Sequence, residues 1–109
     1  MQHYKLLNID ITDKDTLIEF LENQLWKFPS HDIYETDEDI ELTEHHHVGL
    51  ESRLIIEGSP TFFIYGEEVV ATPGTYIEIM PHVVHSFKSF FTNKSVWSPI
   101  GNKYQVPYS

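Results

Sequence analysis

The stretch Glu44-His45-His46-His47-Val48-Gly49-Leu50-Glu51-Ser52-Arg53 gathers the side chains best able to do chemistry. In an extended strand alternate residues share a face, so His45 and His47 project together, roughly 7 Å apart along the backbone, while His46 points away. Glu51 follows after a Gly-containing step and keeps the same parity, which brings a carboxylate beside the pair. Two imidazoles and a carboxylate on one face make the ligand set of non-haem iron sites, with positions left open for substrate and oxygen. Much later, His85 stands in the apolar run Val83-Val84-His85-Ser86-Phe87. A lone His on an apolar strand is ordinarily a core residue with a satisfied hydrogen bond. As the fourth member of a set short of one ligand, it gains a chemical reason to be there. The bland reading of the triplet is an exposed polar strand end. The sharper one is a metal site made of His45, His47, Glu51 and His85.

The spacing His45-x-His47, three residues, Glu51, six residues, Gly58 matches the first motif of the cupin family. The second motif, Gly, five residues, Pro-x-Gly, two residues, His, is met in part. Gly74 and His85 fall in place, but Met80 stands where Pro is usual and His82 where Gly is usual, with Pro81 shifted by one. Within cupins, the words Glu44-His45-His46-His47, Glu51-Ser52-Arg53, Glu57-Gly58-Ser59 and Val96-Trp97-Ser98-Pro99 resemble acireductone dioxygenase over about residues 44 to 100. The resemblance implies an all-β jelly-roll barrel (a double-stranded β-helix) with one N-terminal helix. It also implies one divalent transition metal, Fe(II) favoured over Ni, Mn or Zn, and a dioxygenase acting on a small anionic enediolate. Arg53 would meet the charge of the substrate, and edge strands would pair two chains into a homodimer. The chain departs from the family in being shorter than typical members, in its Met80-Pro81-His82 turn, and in offering Lys94 where a second arginine is usual. Two further readings stay open on the same barrel. One is a non-catalytic metal-binding or small-molecule-binding module; the other is a metal-dependent sugar isomerase or epimerase.

Composition narrows the classes. A chain of 109 residues, 40% hydrophobic and 14% aromatic, is expected to bury one modest core as a single domain spanning residues 1–109. The absence of cysteine leaves His, Asp, Glu and backbone oxygen to hold an ion. A formal charge of -10 repels phosphate backbones and anionic lipid, which argues against nucleic acid as a partner. No apolar run approaches the roughly 20 residues of a membrane helix, and no signal-peptide pattern opens the chain, so a soluble, cytoplasmic protein is expected.

The scaffold can be read in outline. Met1 to Ile11 alternates around Tyr4, Leu6 and Ile9 as an edge strand. Thr12 caps a helix over about 13–26, whose stripe Leu17, Ile18, Phe20, Leu21, Leu25 and Trp26 packs against a sheet. The barrel occupies about 33–108. It opens with one strand across Glu35 to Glu44 that runs into the triplet, with parity leaving undecided whether His45 shares a side with Thr43 or crosses a bulge. Arg53 to Glu57, Thr61 to Tyr65 and Val69 to Ala71 follow, with turns at Gly58-Ser59-Pro60 and Gly66-Glu67-Glu68, and a type II turn at Pro73-Gly74. Tyr76 to Met80 and a longer strand from Val83 to Phe91 come next; Asn93-Lys94 breaks the latter before a last strand from Ser95 to Ile100. Phe62, Phe63, Tyr65, Tyr76, Phe87 and Trp97 are expected as core and pocket wall. His46 and His82 are expected outside the metal set. Arg53 shares parity with Glu51, and from parity alone an interior position and a rim position paired with an acid are equally open.

Overall fold

Nine strands and one helix form the described chain in the computed structural model, which covers residues 3–27, 32–36, 38–46, 49–89 and 93–97. The strands are β1 (Tyr4–Asn8), β2 (Asp32–Thr36), β3 (Ile40–His45), β4 (Glu51–Glu57), β5 (Thr61–Ile64), β6 (Glu67–Val70), β7 (Thr75–Ile79), β8 (His85–Ser89) and β9 (Asn93–Trp97); the helix α1 is Lys14–Lys27. They pair antiparallel into a five-stranded sheet, β1-β7-β4-β9-β2, and a four-stranded sheet, β3-β8-β5-β6. The all-β expectation with one N-terminal helix holds. No helix among the described residues is long and apolar enough to cross a membrane.

The sheets pack face to face because apolar residues alternate onto the inner side of each. Ile55, Ile77 and Ile79 of the first meet Phe62, Ile64, Val69 and Phe87 of the second in one buried cluster. Strand β4 is buried from Glu51 through Ile55, since both its faces are covered. Glu51, Arg53 and Ile55 look toward the other sheet. Leu54 lies on the opposite side beside Tyr76, whose ring meets Phe20 of α1 edge-on at 4.9 Å between centroids. Phe20 of the expected α1 stripe therefore packs against the outer face of β7, whereas Ile18 of the same stripe is exposed.

Asp13, and not Thr12, caps the helix. The Asp13 carboxylate accepts from the Asp15 amide at 3.3 Å and the Thr16 hydroxyl at 2.7 Å, while its carbonyl takes the Leu17 amide at 3.0 Å. Thr12 is engaged elsewhere, donating from its amide and hydroxyl to the Asp10 side chain. The strand expected across Glu35 to Glu44 is two strands, β2 and β3, which belong to different sheets. Asn93-Lys94 does not break the last region. It opens β9, because pairing with β2 on one side and β4 on the other outweighs the local preference of Asn for turns. The strand expected from Val83 to Phe91 is ordered as His85–Ser89, and residues 90–92 and 98–109 lie outside those described. The turn expected at Gly66-Glu67-Glu68 sits one residue earlier. Tyr65 (φ 49°) and Gly66 (φ 84°) are both left-handed, as a two-residue hairpin connection with the twist of its strands requires. Tyr65 is consequently 66% exposed and is not pocket wall. Thr75 N–H donates to the Thr72 carbonyl at 2.8 Å across Pro73-Gly74, with Gly74 at φ 95°, the expected type II turn.

Candidate metal centre

His45 and His85 reach one place through a bulge. Strand β3 pairs with β8 as Ile40↔Ser89, Glu41↔Lys88 and Leu42↔Phe87, and next as His45↔His85. Two residues of β3, Thr43 and Glu44, thus oppose the single Ser86. The extra residue reverses parity, so His45 turns to the side of Leu42 and faces inward. Strand β8 needs no such device, since His85, Phe87 and Ser89 alternate inward in register.

Each imidazole is held by a backbone carbonyl two residues before it. His45 Nδ1 lies 2.6 Å from the Thr43 carbonyl, and His85 Nδ1 lies 2.8 Å from that of Val83. A carbonyl can only accept, so Nδ1 of each ring carries a proton, and in the neutral ring Nε2 is the atom with the lone pair. This is the arrangement that fixes ring orientation at metal sites. Glu51 arrives from the opposite sheet. Its Oε1 is 3.3 Å from His85 Nε2, and the His45 and His85 ring centroids are 4.4 Å apart. Ligand atoms of His45, Glu51 and His85 all lie within 4.8 Å of one another. An ion bonded at about 2.1 Å separates adjacent ligands by about 3 Å, so shifts of about an ångström close the set. The donor chemistry, two imidazole nitrogens and one carboxylate oxygen in a buried place, fits a divalent ion.

The titration of His85 is shaped by the same proximity. Burial pushes its pKa down, but the hydrogen bond and charge of Glu51, with the Val83 carbonyl, together raise it above the ordinary imidazole value, while the nearby Arg53 charge opposes them. Glu51 and His85 are 6% and 3% exposed. Arg53 follows Glu51 on the same face of β4, is 8% exposed, and places its Cζ 5.2 Å from the Phe87 ring centroid. The interior alternative for Arg53 is the one realised.

Four of the expected site residues, His45, Glu51, His85 and Arg53, line one cavity of about 90 Å³ with Leu42, Phe62 and Phe87. His47, the remaining expected ligand, lies outside the described residues. Glu51 lies beside the imidazoles, but not by the expected route. Strands β3 and β4 are not a hairpin but cross from one sheet to the other, so parity counted through Gly49 carries no meaning. Sequence reasoning also missed Leu42, whose alternation with Glu41 and Thr43 gave a face but not its destination.

His46 and His82 stand outside the cluster, both exposed, with ring centroids 6.3 Å apart. His82 holds φ 65° in the Met80-to-Val83 turn, closed by Val83 N–H to the Met80 carbonyl at 3.3 Å. It sits where a type II turn calls for glycine. His82→Gly should relieve that strain and raise stability by about 0.5–1 kcal/mol, a few degrees of melting temperature. A lower melting temperature in calorimetry would mean that the imidazole makes a contact worth more than the strain.

No family model and no curated protein matches the sequence. Among solved structures, the chain is similar to an acireductone dioxygenase from Bacillus anthracis with a cadmium ion in its active centre, at 17% identity and a TM-score of 0.65, covering 87% of this chain and 76% of that one. It is similar to a DUF861 family protein from Thermotoga maritima at 16% identity and 0.62, covering 87% and 97%. A cupin superfamily protein from Desulfitobacterium hafniense matches at 11% identity and 0.59, over 92% and 81%. The chain spans 59% of a conserved Streptococcus pyogenes protein that it also resembles. Strand order, two-sheet packing and these likenesses together give the chain the fold of the cupin superfamily.

Proposed function

We propose that the chain is a mononuclear metal-dependent dioxygenase, similar in chemistry to acireductone dioxygenase, acting on a small enediolate. The observation that carries this reading is the convergence of two Nε2 atoms and a carboxylate on a cavity that also holds a buried guanidinium. His45, Glu51 and His85 hold the ion, and His47 completes the set. When bound, a redox-active divalent ion supplies Lewis acidity and access to dioxygen for a chelated enediolate. Arg53 pairs with the substrate's negative charge in a low-dielectric place, where such a contact is strongest. Phe62 and Phe87 wall the cavity against bulk water. The Thr43 and Val83 carbonyls keep both rings aimed while substrate enters. The likeness to an enzyme of that name supports the reading at the level of fold, and the sequence words around His45 and Glu51 support it at the site.

Oxygen uptake tests it. Protein loaded with Fe(II) should consume dioxygen when given a small enediol, and protein loaded with Zn(II) should not. One ion per chain with no uptake under either loading would replace the dioxygenase with a binding module or an isomerase. Failure to retain any divalent ion would end the metal reading altogether.

A further inference from the structure

The cavity that carries the metal set is small, and its chemistry is sharply divided. His45, Glu51, Arg53 and His85 form its polar side; Leu42, Phe62 and Phe87 form the other. Its volume of about 90 Å³ is well below the roughly 300–1,000 Å³ of drug-sized ligand pockets, so it admits only a small molecule. Phe62 is 1% exposed and Phe87 3%, and their rings pack at 5.1 Å between centroids. Arg53 lies against the second ring. That wall belongs to the folding core and cannot recede without opening a void. Leu42 differs. It is 45% exposed although it lines the inner cavity, and it also borders an open depression of about 380 Å³ with Glu41, Thr43, Glu44, Ser86 and Lys88. Among the described residues that line the cavity, Leu42 is thus the apolar one that is not held in the core.

We infer that the site takes a short 2-oxygenated carboxylate or enediolate of about two or three carbons, and that Leu42 sets the length limit. This rests on the metal reading above and goes further by naming the size class and the residue that enforces it. Glu51 and Arg53 cancel one another, so a divalent ion leaves the chamber with an excess of positive charge, suited to a mono- or dianion. Arg53 is two residues from Glu51 on the same face, about 7 Å along the strand. Because Arg53 and the metal-binding cluster line the same small cavity, a short anion can meet the guanidinium with its carboxylate and the cluster with an oxygen on the neighbouring carbon. Each further methylene on that ligand must displace Leu42, since Phe62 and Phe87 are fixed.

Zinc removes redox chemistry and leaves binding to be measured. In calorimetric titrations of the zinc-loaded full chain, pyruvate should bind at least about 10-fold more tightly than 2-oxohexanoate, the scale at which apolar pockets discriminate by methylenes. Leu42→Ala, a half-exposed position where truncation leaves the core intact, should reduce that ratio to less than about 3-fold by admitting the longer acid. Arg53→Gln should weaken pyruvate by about 10-fold or more with the ratio retained. Equal affinity for the two acids in the wild-type protein, or an unchanged ratio in Leu42→Ala, would overturn the inference while zinc occupancy upholds the metal site. Absence of zinc binding in the wild type would overturn both.

Discussion

Replacing His85 by Ala is expected to lower the affinity for a divalent ion by more than about 100-fold, since loss of a group that merely orients a ligand already costs about 10- to 100-fold. His85 is a stronger case than an orienting group. Its Nε2 is 3.3 Å from Glu51 Oε1, its Nδ1 is tied to the Val83 carbonyl, and it is 3% exposed. Removing the ring takes away a donor that is already aimed and has little conformational freedom left to lose on binding. His46→Ala should change the affinity by less than about threefold, because His46 is exposed and faces His82 rather than the cluster. Competition against a chromophoric chelator measures both, and comparable losses in the two variants would mean that His45 does not turn inward across the bulge. The Ala variant also leaves the Glu51 carboxylate, 6% exposed, without the His85 imidazole beside it, which can lower stability independently of metal. Glu51→Gln keeps shape and burial while discarding charge. It should lose the ion as His85→Ala does, without opening a cavity where the ring stood.

The residues of the site were more legible in the sequence than the path of the chain to them. His85 could be picked out because an imidazole in an apolar run needs a partner, and Gly74 because a Pro-Gly pair sets a type II turn whatever surrounds it. Both are local properties of residue type. The bulge at Thr43-Glu44 was one of two open alternatives that the sequence could not decide, since it exists only relative to β8, a strand some forty positions away, and no residue in Leu42-Thr43-Glu44-His45 demands it. For the same reason Glu51 was identified by spacing that matched a known motif, not by a correct account of its strand. It faces the imidazoles across two sheets. Asn93 shows the opposite case, where a local preference was clear and tertiary pairing overrode it. Thr12 and Asp13 are both good caps by type. Which of them served depended on Asp10, which occupies Thr12.

Gly74→Ala should destabilise the chain by about 3 kcal/mol and lower its melting temperature by more than about 10 °C, the largest effect expected of any single methyl group outside the metal set. Two costs combine at this position. A side chain there must hold φ at 95°, in the region that L-residues avoid, and its Cβ would stand 2.6 Å from the Ile9 carbonyl oxygen. The backbone cannot step aside to relieve the contact. Ile9 N–H donates to the Gly74 carbonyl at 2.7 Å, and Gly74 N–H donates to the Ile55 carbonyl at 2.8 Å, so the turn is tied at once to the end of β1 and to β4. Moving it would pull on the strand that carries Glu51 and Arg53. Gly66 separates the two costs, for it too is left-handed, at φ 84°, but no atom lies within 4 Å of a Cβ built there. Gly66→Ala should therefore show only the conformational penalty, about 1 kcal/mol. Thermal melts of the two variants side by side decide the point: equal shifts would mean that β1 gives way at Ile9 and that this edge strand is held far less firmly than its hydrogen bonds imply.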